Sequence, residues 1–63
     1  MPIVQIHLLE GRSVEQKRAL VRKVTEAVCE TANCPPEAVK IILSDMAFHD
    51  YAEAGQLKAD TRK

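Results

Sequence analysis

Aromatic residues, glycine and net charge are all scarce in this sequence. Its 63 residues include no Trp, one Phe, one Tyr and two Gly, and nine basic side chains balance nine acidic ones. A balanced charge argues against nucleic acid or an anionic membrane as the main partner, because both attract a basic surplus. No apolar run approaches the ~20 residues of a membrane-spanning helix, and no secretory signal segment is recognisable. These absences predict a single cytosolic domain over residues 1–63.

Cysteine is also scarce, since Cys29 and Cys34 are the only two thiols. Their spacing matches neither a CxxC redox pair nor a zinc site, so we expect two reduced packing residues. His7 and the adjacent pair His49 and Asp50 complete no metal-ligand set either. The sequence therefore predicts no metal.

Hydrophobic residues, by contrast, make up 46% of the chain, and nearly all of them are aliphatic. A chain of this length buries only about 60% of its unfolded surface and is marginally stable alone. No disulfide framework is in prospect to compensate. We therefore expect stability to come from oligomerisation.

The first clear pattern is a strand over Ile3–Leu9. Val4, Ile6 and Leu8 define a wholly apolar face, whereas the opposite face is mixed. His7 lies on the mixed face, where we interpret it as an interface or surface contact.

A helix is predicted soon after this strand. Gly11 permits the turn, and Ser13 with Gln16 forms an S-x-x-Q capping box. Apolar residues recur at helical spacing over Val14–Ala32. Asn33 suits a C-terminal cap, and the two prolines beyond it prevent the helix from continuing.

The second strand is predicted over Val39–Leu43, and Met46 beyond it is interpreted as a packing residue. Gly55 indicates a short hairpin or turn before a polar tail. The order strand, helix, strand predicts a right-handed βαβ unit with parallel strands, which is an α/β fold. One such unit cannot cover both faces of its sheet or protect its edges. We therefore expect dimerisation that joins the strands into a larger sheet across a two-fold axis.

Three segments of the chain closely resemble the 4-oxalocrotonate tautomerase (2-hydroxymuconate tautomerase) family: PIVQIHLLEGRS at residues 2–13, VKIILSDMA at residues 39–47 and GQL at residues 55–57. This family is the small-subunit branch of the tautomerase superfamily. The resemblance implies βαβ protomers, dimers with a four-stranded sheet, and a homohexamer of three dimers, with a hetero-oligomer left open. It also implies a cofactor-free isomerase for a small unsaturated 2-hydroxy or 2-oxo acid, such as 2-hydroxymuconate in aromatic hydrocarbon catabolism.

Pro2 follows the initiator methionine, so removal of Met1 would leave a terminal proline with a free secondary amine. An α-amino group titrates near ~7.7–8.0, and nearby cations or apolar surroundings lower that pKa. A neutral terminal proline is thus a general base at physiological pH. The resemblance implies this role for Pro2, which would act first as base and then as acid.

Four further residues occupy family positions around the substrate. The resemblance implies that Arg12 holds a substrate carboxylate, for which the planar guanidinium fork is suited. Lys40 stands where the best-known members have a second arginine, so it keeps the charge and loses the fork. Tyr51 replaces a pocket-lining phenylalanine and adds a hydroxyl donor, and Leu9 is expected to wall the same pocket. Several subunits should line each pocket, so that Arg12 or Lys40 would act from a neighbouring chain.

Two alternative functions stay open. Glu53 stands where the 3-chloroacrylate dehalogenases, which are hydrating relatives, carry a glutamate that activates water while a protonated proline donates the proton. The chain would then be a hydratase or a dehalogenase-like lyase, although Leu9 is apolar where those relatives have an additional arginine. In the other alternative Met1 is retained, Pro2 has no basic nitrogen, and the chain is a non-catalytic oligomeric module.

Overall fold

Two parallel strands carry the fold in this computed structural model, which describes residues 1–61. Strand β1 spans Ile3–Leu9 and strand β2 spans Lys40–Met46. The register pairs the first residues of the two strands with each other, and likewise the last residues. The predicted bounds of the first strand and the parallel pairing are therefore confirmed.

The second strand differs at both ends from its predicted bounds, Val39–Leu43. The Val39 N–H donates to the Pro36 carbonyl at 3.1 Å within a 3₁₀ turn, so Val39 precedes the strand ladder. The strand ends three residues later than predicted, at Met46. It continues because β1 supplies a partner at every position, and this pairing overrides the weak β-propensity of the Ser-Asp pair in that stretch.

Helix α1 spans Val14–Ala32, as the capping pattern predicts. The Gln16 N–H donates to the Ser13 hydroxyl at 3.1 Å, and the Gln16 side chain accepts from the Ser13 N–H at 2.9 Å. Asn33 follows with a φ of 56° and a ψ of 57°, a left-handed conformation that commonly ends helices. Neither α1 nor any other helix within residues 1–61 is long and apolar enough to cross a bilayer. Local sequence signals thus set both ends of α1.

Helix α1 covers one face of the two-stranded sheet. Val4, Ile6 and Leu8 are half-buried on that face, whereas the opposite face of β1 is exposed up to its last residue. An ion pair between Lys17 Nζ and Asp45 Oδ2, 2.7 Å long, joins the helix to β2. The apolar face predicted for the first strand is therefore the one that packs beneath the helix.

The chain beyond β2 forms a short arm. A 3₁₀ turn over Phe48–Asp50 leads into strands β3 (Ala52–Glu53) and β4 (Gln56–Leu57), which pair antiparallel. Between these strands, Ala54 and Gly55 have φ values of 51° and 79°. Positive φ at both central residues is typical of a two-residue hairpin turn. The hairpin predicted around Gly55 is therefore confirmed.

A second helix, α2, spans Lys58–Thr61, where a polar tail is predicted. The sequence gives no signal for this helix, because four residues are too few to show a hydrophobic period. The helix begins where the Lys58 N–H donates to the Tyr51 carbonyl at 2.8 Å, a contact made across the hairpin. Residues 62–63 of the predicted tail lie outside the described residues.

The hydrophobic core of a single chain is incomplete. No side chain among residues 1–61 is fully buried, and Ile3 and Ile42 on the uncovered sheet face are 63% and 51% exposed. The radius of gyration is 14.8 Å, against about 11 Å for a compact chain of this length. These values support the expectation that chains associate through the uncovered face and the free strand edges.

The two cysteines are free, half-buried thiols at the end of α1 that is remote from Ser13. Partial burial, the Cys34 thiol and the Glu37 carboxylate together raise the pKa of the Cys29 thiol. A raised pKa lowers the thiolate fraction and with it the reactivity. These features agree with the interpretation of both cysteines as packing residues.

Candidate active site

A pocket with a volume of about 360 Å³ opens where β1 and β2 end. We call it the strand-end pocket. Its lining combines three apolar with three polar side chains: Leu8, Leu9 and Met46, and His7, Arg12 and Tyr51. A pocket of this volume that combines apolar walls with a few convergent polar groups suits a small organic molecule.

Arg12 supplies the positive charge of the strand-end pocket. It lies in the loop between β1 and α1, and its Nη1 donates to the Leu9 carbonyl at 3.4 Å. No carboxylate within residues 1–61 forms an ion pair with Arg12. Most N–H groups of the guanidinium fork are therefore available to an anionic ligand.

Tyr51 contributes an aromatic ring and a hydroxyl group to the lining of the strand-end pocket. It follows the 3₁₀ turn Phe48–Asp50, and its carbonyl is held by the Lys58 N–H at 2.8 Å. The ring is half-buried, and within residues 1–61 its hydroxyl makes no hydrogen bond. The pocket lining thus includes a hydroxyl group as well as the Arg12 guanidinium.

His7 and Met46 line the pocket, although sequence reasoning gave them no part in a site. The missed signal for Met46 is its register, because it pairs with Leu9 once β2 is extended to its true end. For His7 the sequence carries no signal beyond its strand position. The structure places its exposed side chain near the same strand end as Leu9.

Pro2 and Lys40 lie together at the other end of the sheet. The Pro2 carbonyl accepts from the Lys40 N–H at 3.0 Å, which joins the residue before β1 to the first residue of β2. The Lys40 ammonium donates to the Glu37 carbonyl at 2.9 Å. Pro2 is half-buried and Lys40 is exposed.

The sheet therefore separates the expected site residues into two groups. Leu9, Arg12 and Tyr51 meet at the strand-end pocket, whereas Pro2 and Lys40 meet at the opposite end. Seven residues of strand at ~3.3 Å each place Pro2 about 23 Å from Leu9. One chain therefore does not bring its own Pro2 to its own Arg12.

Glu53 does not line the strand-end pocket. It lies in β3, where its carboxylate is 65% exposed and its Oε1 is 4.0 Å from Lys58 Nζ. An exposed carboxylate that faces an ammonium group is solvated rather than poised against a bound molecule. Within residues 1–61, no group of three or more His, Cys, Asp and Glu side chains is arranged to hold a metal ion.

The fold and the pocket define a small α/β protein with a site suited to an organic anion. The sequence model of a family described as tautomerase enzymes matches residues 2–61. A probable tautomerase of Halalkalibacterium halodurans is 52% identical over 60 residues, which cover 95% of this chain and 98% of the relative. A 2-hydroxymuconate tautomerase of Pseudomonas putida is 43% identical over 63 residues, which cover both chains completely.

Solved structures give the same result. A 4-oxalocrotonate tautomerase isozyme from Methylibium petroleiphilum superimposes with a TM-score of 0.91 at 44% identity, over 94% of this chain and 92% of that one. A heterohexamer 4-oxalocrotonate tautomerase from Chloroflexus aurantiacus superimposes with a TM-score of 0.91 at 31% identity, over 98% and 100%. The chain belongs to the tautomerase family and is an isomerase, as its resemblance implies.

Proposed function

We propose that the protein is a cofactor-independent keto–enol tautomerase for a small unsaturated 2-hydroxy or 2-oxo acid such as 2-hydroxymuconate. The observation that carries the proposal is the strand-end pocket, in which the Arg12 guanidinium has no carboxylate partner within residues 1–61. An apolar wall and the Tyr51 hydroxyl complete a surface that fits a planar carboxylate. The full-length similarity to 2-hydroxymuconate tautomerase supports this substrate class.

The proton carrier in this proposal is Pro2, exposed as a terminal amine once Met1 is removed. In the neutral form, its nitrogen takes the proton from the 2-hydroxyl group of the enol. The resulting secondary ammonium then returns that proton to a carbon of the conjugated system, which yields the 2-oxo product. The reaction moves one proton and requires no oxidant, reductant or metal-bound group.

The pocket residues stabilise the charge that this transfer creates. Arg12 grips a carboxylate with its fork, and the Tyr51 hydroxyl donates toward the oxygen that becomes negative. Lys40 contributes a point charge beside Pro2, which favours the neutral amine. Leu9 supplies an apolar wall, which also favours the neutral form of the Pro2 amine.

The site is completed by a second copy of the chain. Within residues 1–61, β1 pairs with β2 on one edge and with no strand on the other. Antiparallel pairing of two β1 strands about an axis at Ile6 sets Ile3 of one chain opposite Leu9 of the other. Pro2 of one chain then lies beside the strand-end pocket of the other. Three such dimers would give the expected hexamer, and substitution of a related chain would give a hetero-oligomer.

The proposal is tested with purified protein whose intact mass shows that Met1 is absent. Pro2→Ala should lower kcat/KM for ketonisation of 2-hydroxymuconate, followed by ultraviolet absorbance, at least about a hundredfold, because general base catalysis contributes 10²–10⁴. Pro35→Ala is the matched control, since Pro35 lies in the exposed loop after α1. Full activity of Pro2→Ala, or of chains that keep Met1, would contradict the role of Pro2.

The hydratase alternative is separated by the protonation state of Pro2. A general base must be mostly neutral at the working pH, whereas the acid of a hydratase must be mostly protonated. NMR titration of a ¹⁵N-labelled Pro2 distinguishes these states. The exposed position of Glu53 outside the pocket favours the tautomerase.

A further inference from the structure

One residue, Glu10, joins the two segments that carry the polar walls of the strand-end pocket. Its N–H donates to the Met46 carbonyl at 2.8 Å. Its Oε2 accepts from the Phe48 N–H at 3.2 Å, across 38 positions of the sequence. Glu10 begins the loop that bears Arg12, and Phe48 begins the turn that precedes Tyr51.

The contact with Phe48 fixes how the turn is oriented. Phe48 is the first residue of the 3₁₀ turn Phe48–Asp50, whose preceding residue, Ala47, offers no side-chain cap. The Asp50 N–H closes the turn on the Ala47 carbonyl at 2.9 Å. The Glu10 carboxylate oxygen therefore acts as a side-chain acceptor for the N–H at the start of this turn, a role that Ala47 cannot fill.

Glu10 makes this hydrogen bond without forming an ion pair with Arg12. No ion pair joins Glu10 to Arg12 within residues 1–61, although only one residue separates them. Glu10 is also not among the residues that line the strand-end pocket. Its side chain thus accepts from the backbone N–H of Phe48 and leaves the Arg12 guanidinium to a ligand.

We propose that Glu10 is a positioning residue that sets the separation of Arg12 and Tyr51 and thereby the fit of the carboxylate substrate. Its kinetic consequence rests on the proposed function. Its structural consequence, the placement of Tyr51, does not. A residue that acts by orienting binding groups alters substrate affinity more than the chemical step.

Three substitutions separate the features of Glu10. Glu10→Gln keeps a full-length oxygen acceptor without charge, Glu10→Asp keeps the charge and shortens the reach, and Glu10→Ala removes both. Glu26→Ala is the matched control, because Glu26 is an exposed carboxylate on α1. All four chains are compared with wild type at equal concentration, after gel filtration has established their assembly.

The kinetic readout is ketonisation of 2-hydroxymuconate. Glu10→Ala and Glu10→Asp should raise KM about five- to tenfold with kcat changed less than about threefold, as expected for loss of one net hydrogen bond that orients a binding group. Glu10→Gln and Glu26→Ala should remain within about twofold of wild type in both constants.

The structural readout is Tyr51 fluorescence. Tyr51 is the only tyrosine and the chain has no Trp, so intrinsic emission reports on this wall alone. Acrylamide should quench the Ala and Asp variants more strongly than wild type, while the Gln variant should match wild type.

The proposal is overturned if Glu10→Gln behaves like Glu10→Ala, because acceptance of the Phe48 N–H would then not be the relevant feature. It is equally overturned if Ala and Asp leave both KM and quenching unchanged. Should Glu10→Ala fail to assemble, the contrast between Gln and Asp decides. If quenching follows the expected pattern but wild-type protein does not ketonise the substrate, the proposed function fails and the positioning of Tyr51 by Glu10 stands.

Discussion

Arg12 can bind a ligand because no side chain within residues 1–61 forms an ion pair with its guanidinium. Within the part of the chain that the structure describes, its one hydrogen bond is to the Leu9 carbonyl. The acidic residue nearest to it in sequence, Glu10, accepts from the Phe48 N–H. A guanidinium left in this state binds a carboxylate through two parallel hydrogen bonds. Lysine cannot form the same pair, because its ammonium is a point donor.

Arg12→Ala should therefore raise KM for 2-hydroxymuconate about ten- to a hundredfold, since hydrogen bonds to charged groups contribute about 1.5–3 kcal/mol. Arg12→Lys should fall between wild type and Ala. Steady-state ketonisation measures both constants, and Arg22→Ala, an exposed arginine on α1, serves as control. An unchanged KM in Arg12→Ala would remove the carboxylate-binding role from this residue.

The site was predictable to different degrees at this scale. The roles of five site residues follow from the resemblance of the chain to a family and stay predictions: Pro2, Arg12, Lys40, Tyr51 and Leu9. Their division between the two ends of the sheet follows from strand length and register, which composition and spacing alone do not express. Glu10 was not predicted at all, because its contact with Phe48 spans most of the chain.

Helix α1 and strand β1 have local signals at both ends, and their bounds agree with prediction for that reason. A capping box starts the helix, and a left-handed asparagine ends it. The end of β2 and the whole of α2 depend instead on contacts with distant segments. Pairing with β1 extends β2 to Met46, and the hydrogen bond from the Lys58 N–H to the Tyr51 carbonyl begins α2. No local pattern announces either.

The start of α1 offers a test of the capping contribution. Ser13→Ala removes the hydroxyl that accepts from the Gln16 N–H and should lower the free energy of unfolding by about 1 kcal/mol per chain. Ser13→Thr keeps an acceptor and should lose less. Urea denaturation at matched protein concentration measures both, because association shifts apparent stability. Equal stabilities of Ala and wild type would show that the cap is replaced by water.

Over the residues that the structure describes, a single chain has neither a covered second sheet face nor a site that brings Pro2 and Arg12 together. Its sheet has one covered and one uncovered face, and Pro2 lies about 23 Å from the end of β1 that forms the pocket. If each site takes Pro2 from one chain and Arg12 from another, two inactive chains can complement each other. A site contained in one chain does not allow this.

Pro2→Ala and Arg12→Ala chains should therefore regain activity when they are unfolded together and reassembled in equal amounts. Random pairing returns both native residues to about a quarter of the sites, so about a quarter of the wild-type rate is expected. Each variant reassembled alone is the control. A mixture no more active than the two separate variants would contradict the shared site and leave only a site within one chain.

The absence of any fully buried side chain within residues 1–61 has a consequence for how the enzyme behaves in a cell. Under the proposed pairing, the hydrophobic core forms only when chains associate, from apolar side chains that are exposed in each separate chain. Dilution then lowers the apparent stability of this protein, much as urea lowers that of a larger one. Newly made chains reach the folded, active state only as fast as they associate. Turnover per chain becomes a matter of abundance as well as chemistry.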